Sequence, residues 1–350
     1  MDAGLLAFFI ALSASLMLTA PVRALALRVG MVDLPGPRKV HLQPIPLLGG
    51  VAMYLAVVLA ILFAFHGPAR AQIVGILVGA TVVAAVGIMD DRGMLHHQVK
   101  LFLAMPVAAA ILLFSGIHAQ VFSAILGGRA GDILDVGLTV VWVVGITASF
   151  SILDHMDGLC AGIAAMASIF FAMIAYLNGQ TLVTVLAAAV LGAATGFLRW
   201  NFKPAKIFMG DGGAMFLGYL MATLGLKLRV ENATQLSGWL APLLILGVTI
   251  FDTTLVTISR SRRGFLPFTT PGKDHTAHRL ANLGLGQRGA VLMLYALGAF
   301  GGGVAVAIEY LSTRGALYVG LGASVIILLG VFYLERAPYE KQVRKNAHAD

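Results

Sequence analysis

The sequence holds a single cysteine, Cys160, in 350 residues. That excludes an intrachain disulfide and a thiolate metal cluster. Charge is scarce too. Asp, Glu, Lys and Arg make up 11% of the chain, against roughly 25% in soluble domains. No Lys or Arg precedes Arg23, so the opening apolar run lacks the basic segment of a cleaved secretory signal and reads as a retained span. No polar stretch is long enough for a separate soluble domain. What remains is 59% hydrophobic with a mean hydropathy of +0.90. A soluble core of this length cannot bury so much apolar side chain, and lipid must serve as solvent.

A membrane-crossing helix needs about 20 mostly apolar residues. Eleven runs qualify, near 3–22, 47–65, 72–89, 100–117, 136–153, 159–177, 181–198, 214–230, 238–258, 289–308 and 316–334. The eighth is the weakest, because Lys227 and Arg229 sit at its end. The expected fold is an all-α polytopic transmembrane bundle of about eleven spans. It forms one domain over 1–335, followed by a tail over 336–350. Helices are expected because backbone groups in lipid must bond within their own segment.

Loop charge orients the bundle. With the N-terminus outside, the segments on the opposite side carry nineteen Lys and Arg, and the outer loops and span ends carry Arg70, Arg129, Lys227, Arg229 and Arg314. Basic loops mark the cytoplasmic side, so the C-terminus lies in the cytoplasm and the protein in the inner (cytoplasmic) membrane. The net charge of +8 is explained by this asymmetry and requires no nucleic acid. It also suits anionic lipids and nucleotides. The scarce acids gather on the same side.

Asp90 and Asp91 close the third span in MDDRG. Adjacent carboxylates at a helix C-terminus oppose the helix dipole and ask for a cation, unless Arg92 and water satisfy them. Asp154 and Asp157 in LDHMDGLCAG share one face if the helix continues through them; an ordinary turn with a capping aspartate is the alternative. Asp211 in FMGDGG stands where the next span begins. It is either a helix N-cap or a ligand of a hard cation such as Mg²⁺, which takes carboxylates, water and substrate phosphates. Asp252 lies inside the ninth span, about two turns or 9–10 Å from its end. There it must pair with a cation, a hydroxyl or a metal, unless it merely bonds a neighbouring helix. In KDHTAHRL, His275, His278 and Arg279 can donate to phosphate oxygens. A two-histidine metal site there lacks the rest of a zinc-type spacing. RKVHLQPIPLLGG adds Arg38, Lys39 and His41 to the same face.

Taken together and in order, these segments resemble the polyprenyl-phosphate N-acetylhexosamine-1-phosphate transferases. RKVHLQPIPLLGG, MDDRG, LDHMDGLCAG, FMGDGG, the FDTT stretch and DHTAHRL run from Arg38 to Leu280. The resemblance implies Mg²⁺-dependent (alternatively Mn²⁺-dependent) transfer of a sugar-1-phosphate from a UDP-sugar to a polyprenyl phosphate within the membrane lipids, with release of UMP. It implies Asp211 as the main metal ligand, with Asp154 beside it. Asp90 and Asp91 would lie at the lipid phosphate, and Asp154 and Asp157 in the nucleotide and metal region. His275, His278 and Arg279 would contact the donor, Lys39, His41 and Asp252 would assist binding, and a homodimer is consistent with the family. The chain departs from the family pattern at Ala148 and Ser151, where asparagines are usual, and at His155 and Ala277. A transporter or flippase that uses intramembrane carboxylates as a relay is the competing class. It predicts charges spread through the bundle and repeats between chain halves. A CDP-alcohol phosphotransferase would need an arginine that DGLCAG lacks, and a catalytically silent scaffold is the remaining reading.

Overall fold

The computed structural model describes residues 2–35, 43–95, 99–230, 235–265 and 272–339. Lys39 and His41, assigned to substrate binding from the sequence, lie outside the described residues, as do Arg38, His96 and His97. The described chain is mostly helical. Each of the eleven apolar runs falls on a helix or on consecutive helices: α1 Ala3–Arg28, α2 Gly49–Ala64, α3 Arg70–Asp91, α4 Met105–Phe114, α5 Phe122–Leu126, α6 Gly128–Leu153, α7 Leu159–Leu177, α8 Thr181–Asn201, α9 Gly210–Lys227, α10 Gln235–Gly238, α11 Leu240–Ile245, α12 Gly247–Arg262, α13 Thr276–Leu280, α14 Gly286–Ile308 and α15 Thr313–Leu334. Seven helical stretches among the described residues are long and apolar enough to cross a membrane by length and composition: Ala3–Arg28, Arg70–Asp91, Gly128–Leu153, Leu159–Leu177, Thr181–Asn201, Thr276–Ile308 and Thr313–Glu335.

The other runs depart from straight spans for local reasons. The fourth opens with a π-helical turn at Lys100–Ala104 before α4. The ninth breaks at Leu246, whose φ of −91° and ψ of 10° separate α11 from α12. Beyond helices there is a two-residue antiparallel ladder, β1 Val32–Asp33 with β2 Ile45–Pro46. It continues as a bridge from Leu47 to Phe208, three residues before Asp211.

The run that looked weakest by sequence is the centre of the bundle. Every residue of α9 from Gly210 to Leu226 is buried except Asp211, and α2, α3, α6, α7 and α8 all pack on it. A helix enclosed by protein needs no lipid-facing Leu or Ile. It can spend positions on Gly and Thr, which lowers its hydropathy. The opposite case is α15, where Tyr318, Leu321, Ile326, Leu328 and Phe332 all point outward, as lipid-facing side chains do.

Small residues set the helix spacing. On α1 the buried face is Gly4, Ala7, Ala11, Ser15, Thr19, Val22 and Ala26, a stripe at helical spacing that lies against α8. There Ser15 Oγ donates to the Ala193 carbonyl at 2.7 Å. Such stripes let helix backbones approach where apolar burial offers no drive between helices. Two close backbone approaches surround the N-terminus of α9. A Cβ on Gly50 of α2 would sit 2.3 Å from Gly213 Cα, and one on Gly87 of α3 would sit 2.5 Å from Gly212 Cα. The glycines of FMGDGG are thus contact surfaces for two neighbouring helices.

Candidate active site

The closeness of α3 and α9 brings MDDRG and FMGDGG together. Asp91, the last residue of α3, accepts hydrogen bonds from the backbone amides of Asp211 and Gly212 at 2.9 and 3.2 Å. These are free first-turn donors of α9, which a carboxylate satisfies with help from the helix dipole. Gly210 has a φ of +72°, and a Cβ there would meet Asp91 Oδ2 at 2.4 Å, so both the turn and the contact require glycine. Asp211 follows Gly210 inside the first turn of α9 and is not its N-cap, a position held by Met209.

One ammonium joins Asp211 to the other acid of the pair. Lys100 Nζ donates to Asp211 Oδ2 at 2.6 Å and to Asp90 Oδ2 at 2.7 Å. Arg92, the alternative partner for the acids, instead points its Nε at the Met31 sulfur. Asp211 Oδ1 accepts from Ser151 Oγ at 2.7 Å. Ser151 is one of the departures from the family pattern, and it keeps a donor on this carboxylate.

Asp154 and Asp157 arrive from the α6–α7 turn. The condition for a shared helical face is not met, because α6 ends at Leu153 with Asp154 as its C-cap, the turn alternative. The two acids sit on a turn closed by Gly158, whose φ is +77°. Asp157 Oδ2 accepts from the Ala205 amide at 3.0 Å. Asn201 Oδ1 accepts from the Gly158 amide, and Asn201 Nδ2 donates to the Ile207 carbonyl, both at 3.0 Å. Tyr295 of α14 donates its hydroxyl to the Gly158 carbonyl. Asn201 therefore ties the turn that bears Asp154 to the segment that leads to Asp211.

Asp154 itself accepts no hydrogen bond among the described residues. Burial, then the charges of Asp211, Asp91 and Asp157, push its carboxyl well above the usual carboxylate range. Among the described residues Lys100 is the sole cation paired with any of these five acids. The result is an all-oxygen donor set with excess negative charge, and it fits a hard divalent cation.

A second cluster begins one residue further on. Asp252 of α12 takes the Thr276 amide on Oδ1 at 2.6 Å and His275 Nδ1 on Oδ2 at 2.9 Å. It thus caps α13 from a distance and orients His275, which accounts for a carboxylate that is 1% exposed. The His155 ring stacks on His275 with centroids 4.0 Å apart and lies 5.0 Å from His278. His155 Nδ1 faces the Ile152 carbonyl at 3.2 Å, leaving Nε2 buried with no hydrogen-bond partner among the described residues. Burial first, then the charge of His275, hold its imidazole well below the ordinary histidine range. His155, Asp252 and His275 present ligand atoms within 4.8 Å of one another, a set that could hold a metal ion. Two imidazoles and one carboxylate suit a transition metal better than Mg²⁺.

Arg279 commits its guanidinium to partners outside this cluster. It is fully buried and donates to the carbonyls of Asp274 and Leu334, to Glu335 Oε2 and to Ser259 Oγ, with Tyr339 stacked 4.0 Å from its guanidinium. Asp274 is gripped by Arg260 and Arg263. Burial alone would raise its carboxyl, but the hydrogen bonds and charge of Arg260, with Arg263, hold it at about 2. Ala277, where the family pattern has another histidine, is buried in the apolar cluster with Leu153 and Val291.

Two groups went unread in the sequence. Lys100 was counted only among the basic residues that orient the bundle, and its spacing ten residues after Asp90 was the available signal. Asp135 on α6 is 1% exposed, but three backbone amides at residues 121–123 and Ser123 Oγ occupy it. It is a loop anchor with no link to the acid cluster.

Comparison with known proteins agrees with this geometry. Residues 73–229 match the family described as glycosyl transferase family 4. A Bacillus subtilis protein named probable undecaprenyl-phosphate N-acetylglucosaminyl 1-phosphate transferase is 37% identical over 294 residues, covering 83% of this chain and 81% of its own. The decaprenyl-phosphate N-acetylglucosaminephosphotransferase of Mycolicibacterium smegmatis is 32% identical over 348 residues, covering 91% and 85%. The undecaprenyl-phosphate alpha-N-acetylglucosaminyl 1-phosphate transferase of Escherichia coli K12 is 25% identical over 294 residues, covering 82% and 79%.

Proposed function

We propose, for a chain that belongs to glycosyl transferase family 4, that it is a membrane-integral phosphoglycosyl transferase which moves N-acetylhexosamine-1-phosphate from a UDP-sugar to polyprenyl phosphate and releases UMP. The observation that carries this reading is that one ammonium joins Asp90 of α3 to Asp211 of α9, while Asp154 of the α6–α7 turn feels the charges of Asp211 and Asp91.

A divalent cation, Mg²⁺ or Mn²⁺, would be held by Asp211 with Asp154 and Asp90. Once bound, it supplies charge neutralisation to the diphosphate. The protein's own residues do the positioning. Asp91 fixes the N-terminus of α9, and with it Asp211, through two amide hydrogen bonds. Ser151 holds one Asp211 oxygen, and Lys100 pairs with the other. Asp157 and Asn201 lock the turn that presents Asp154.

The histidine cluster lies beside this turn, with Asp154 and His155 adjacent in the chain. His278 and the free Nε2 of His155 are the groups offered to the donor's diphosphate and sugar. Asp252 acts through His275, and Arg279 acts by anchoring the loop to α15. Attack by a lipid phosphate oxygen on the β-phosphorus forms one P–O bond and breaks the bond to the bridging oxygen, which leaves with UMP. No protein nucleophile is required, and catalysis is alignment plus electrostatics. Every residue named comes from one chain. The basic-loop asymmetry supports a site facing the cytoplasm from the inner membrane, within a single membrane domain over 1–335 and with a tail over 336–350.

Asp211→Asn is the test. The amide keeps the shape and loses the charge. Purified variant incubated with Mg²⁺, undecaprenyl phosphate and UDP-N-acetylglucosamine should release UMP at least about 10²-fold more slowly, the scale for losing an electrostatic group at a phosphoryl-transfer centre. Unchanged release by a folded variant removes Asp211 from the mechanism.

A further inference from the structure

Lys100 sits where a cation belongs. Its Nζ lies 2.6 Å from Asp211 and 2.7 Å from Asp90, so it bridges the two acids from different helices as a bound metal would. It is half-buried, with no further partner among the described residues. It springs from the π-helical turn Lys100–Ala104, an irregularity that widens the helix locally and recurs at functional sites. A lysine side chain has four rotatable carbons, so its ammonium can leave one pair of oxygens for another without moving the backbone.

We propose that Lys100 is an exchangeable counter-ion. It neutralises Asp90 and Asp211 while no divalent cation is bound. When one binds, the ammonium is displaced and pairs with a phosphate oxygen of the lipid acceptor. This rests on the reading that Asp211 and Asp90 hold a divalent cation, and it deepens that reading in two ways. Five acids beside lipid would repel one another strongly if left bare, and a built-in ammonium keeps the metal-free bundle assembled. The same ammonium becomes available for phosphate only after the metal has taken its place, so acceptor binding follows metal binding. Asp154, which Lys100 does not reach, is the acid left open to receive the incoming ion first.

The test reads the amine directly. Full-length protein in detergent is reductively methylated, and the Lys100 peptide is quantified by mass spectrometry, without metal, with Mg²⁺, and with Mg²⁺ plus undecaprenyl phosphate. Mg²⁺ should accelerate Lys100 methylation roughly tenfold, the factor for about 1.4 kcal/mol of lost pairing, and the lipid phosphate should reverse the gain. Mn²⁺ binding to the same preparations is measured by the loss of free-ion electron paramagnetic resonance signal. Lys100→Met should bind Mn²⁺ more tightly than the parent protein and show a raised KM for the lipid with the KM for the nucleotide sugar unchanged. Lys100→Arg, which preserves the charge, should not gain Mn²⁺ affinity. Mn²⁺ bound by the parent protein with Lys100 methylation unaffected overturns the displacement. No Mn²⁺ bound by the parent protein overturns the metal reading beneath it.

Discussion

Gly87→Ala adds one methyl group at the contact on which the acid cluster depends. The new Cβ would lie 2.5 Å from Gly212 Cα and 2.6 Å from the Asp211 carbonyl carbon. Both obstacles are backbone, so no rotamer change relieves the overlap. Carbon atoms rest at about 3.5–4.0 Å, and α3 and α9 must therefore separate by about 1 Å. The bonds from the Asp211 and Gly212 amides to Asp91, now 2.9 and 3.2 Å, then pass the length at which such bonds hold. Overpacking costs about 1–3 kcal/mol, and a hydrogen bond to a charged group about 1.5–3 kcal/mol. Since about 1 Å of misplacement at a reacting centre can cost about 10²-fold in rate, UMP release should fall by about that factor while the protein still purifies folded. Gly303→Ala on α14, where a Cβ meets nothing within 4 Å, is the control and should match the parent protein. Initial rates with Mg²⁺, undecaprenyl phosphate and UDP-N-acetylglucosamine, beside melting curves, decide the matter. A Gly87→Ala rate within about twofold of the parent would show that the α3–α9 spacing does not set the active geometry.

Arg279→Met should destabilise the protein by about 3–5 kcal/mol, because it leaves Glu335 and two carbonyls without their donor. Arg279→Lys should not rescue it, since an ammonium cannot span the four acceptors of the fork. Thermal unfolding in detergent reads both. The pH response of the metal-free protein should have two opposed parts. Asp154, raised in the folded state, holds its proton more tightly folded than unfolded, so its contribution is present at low pH and lost as pH rises above the ordinary carboxylate value. His155, lowered in the folded state, contributes fully above its ordinary value of 6.5 and loses that contribution as pH falls below it. The gain in melting temperature on adding Mg²⁺ should therefore grow with rising pH, and that growth should vanish in Asp154→Asn. His155→Asn should remove part of the loss on the acidic side.

The helical membrane class was legible because it depends on composition and run length alone. Eleven apolar runs were marked, and each coincides with helix. The candidate site residues stood out because acids are rare in this chain, which made Asp90, Asp91, Asp154, Asp157, Asp211 and Asp252 conspicuous. Their division of labour was not legible. Asp91 and Asp252 look alike in one dimension, and both turn out to accept backbone amides at helix starts. Arg279 reads as a phosphate ligand beside two histidines, yet it faces inward to α15. The charges at its end made α9 look the weakest run, yet it is the most enclosed by protein, which no local feature of the run records.

Local chemistry alone determined that this chain is a membrane-integral helical protein, because composition and run length follow from counting residues along the chain. Only the tertiary structure decided that Lys100 stands between Asp90 and Asp211, that Ser151 serves Asp211, and that His155 meets His275. Those pairings join residues as many as 120 positions apart. The meeting of Asp90 and Asp91 with Asp211 depends on glycines at the α2–α9 and α3–α9 crossings that let backbones touch, a distance constraint that no one-dimensional pattern records.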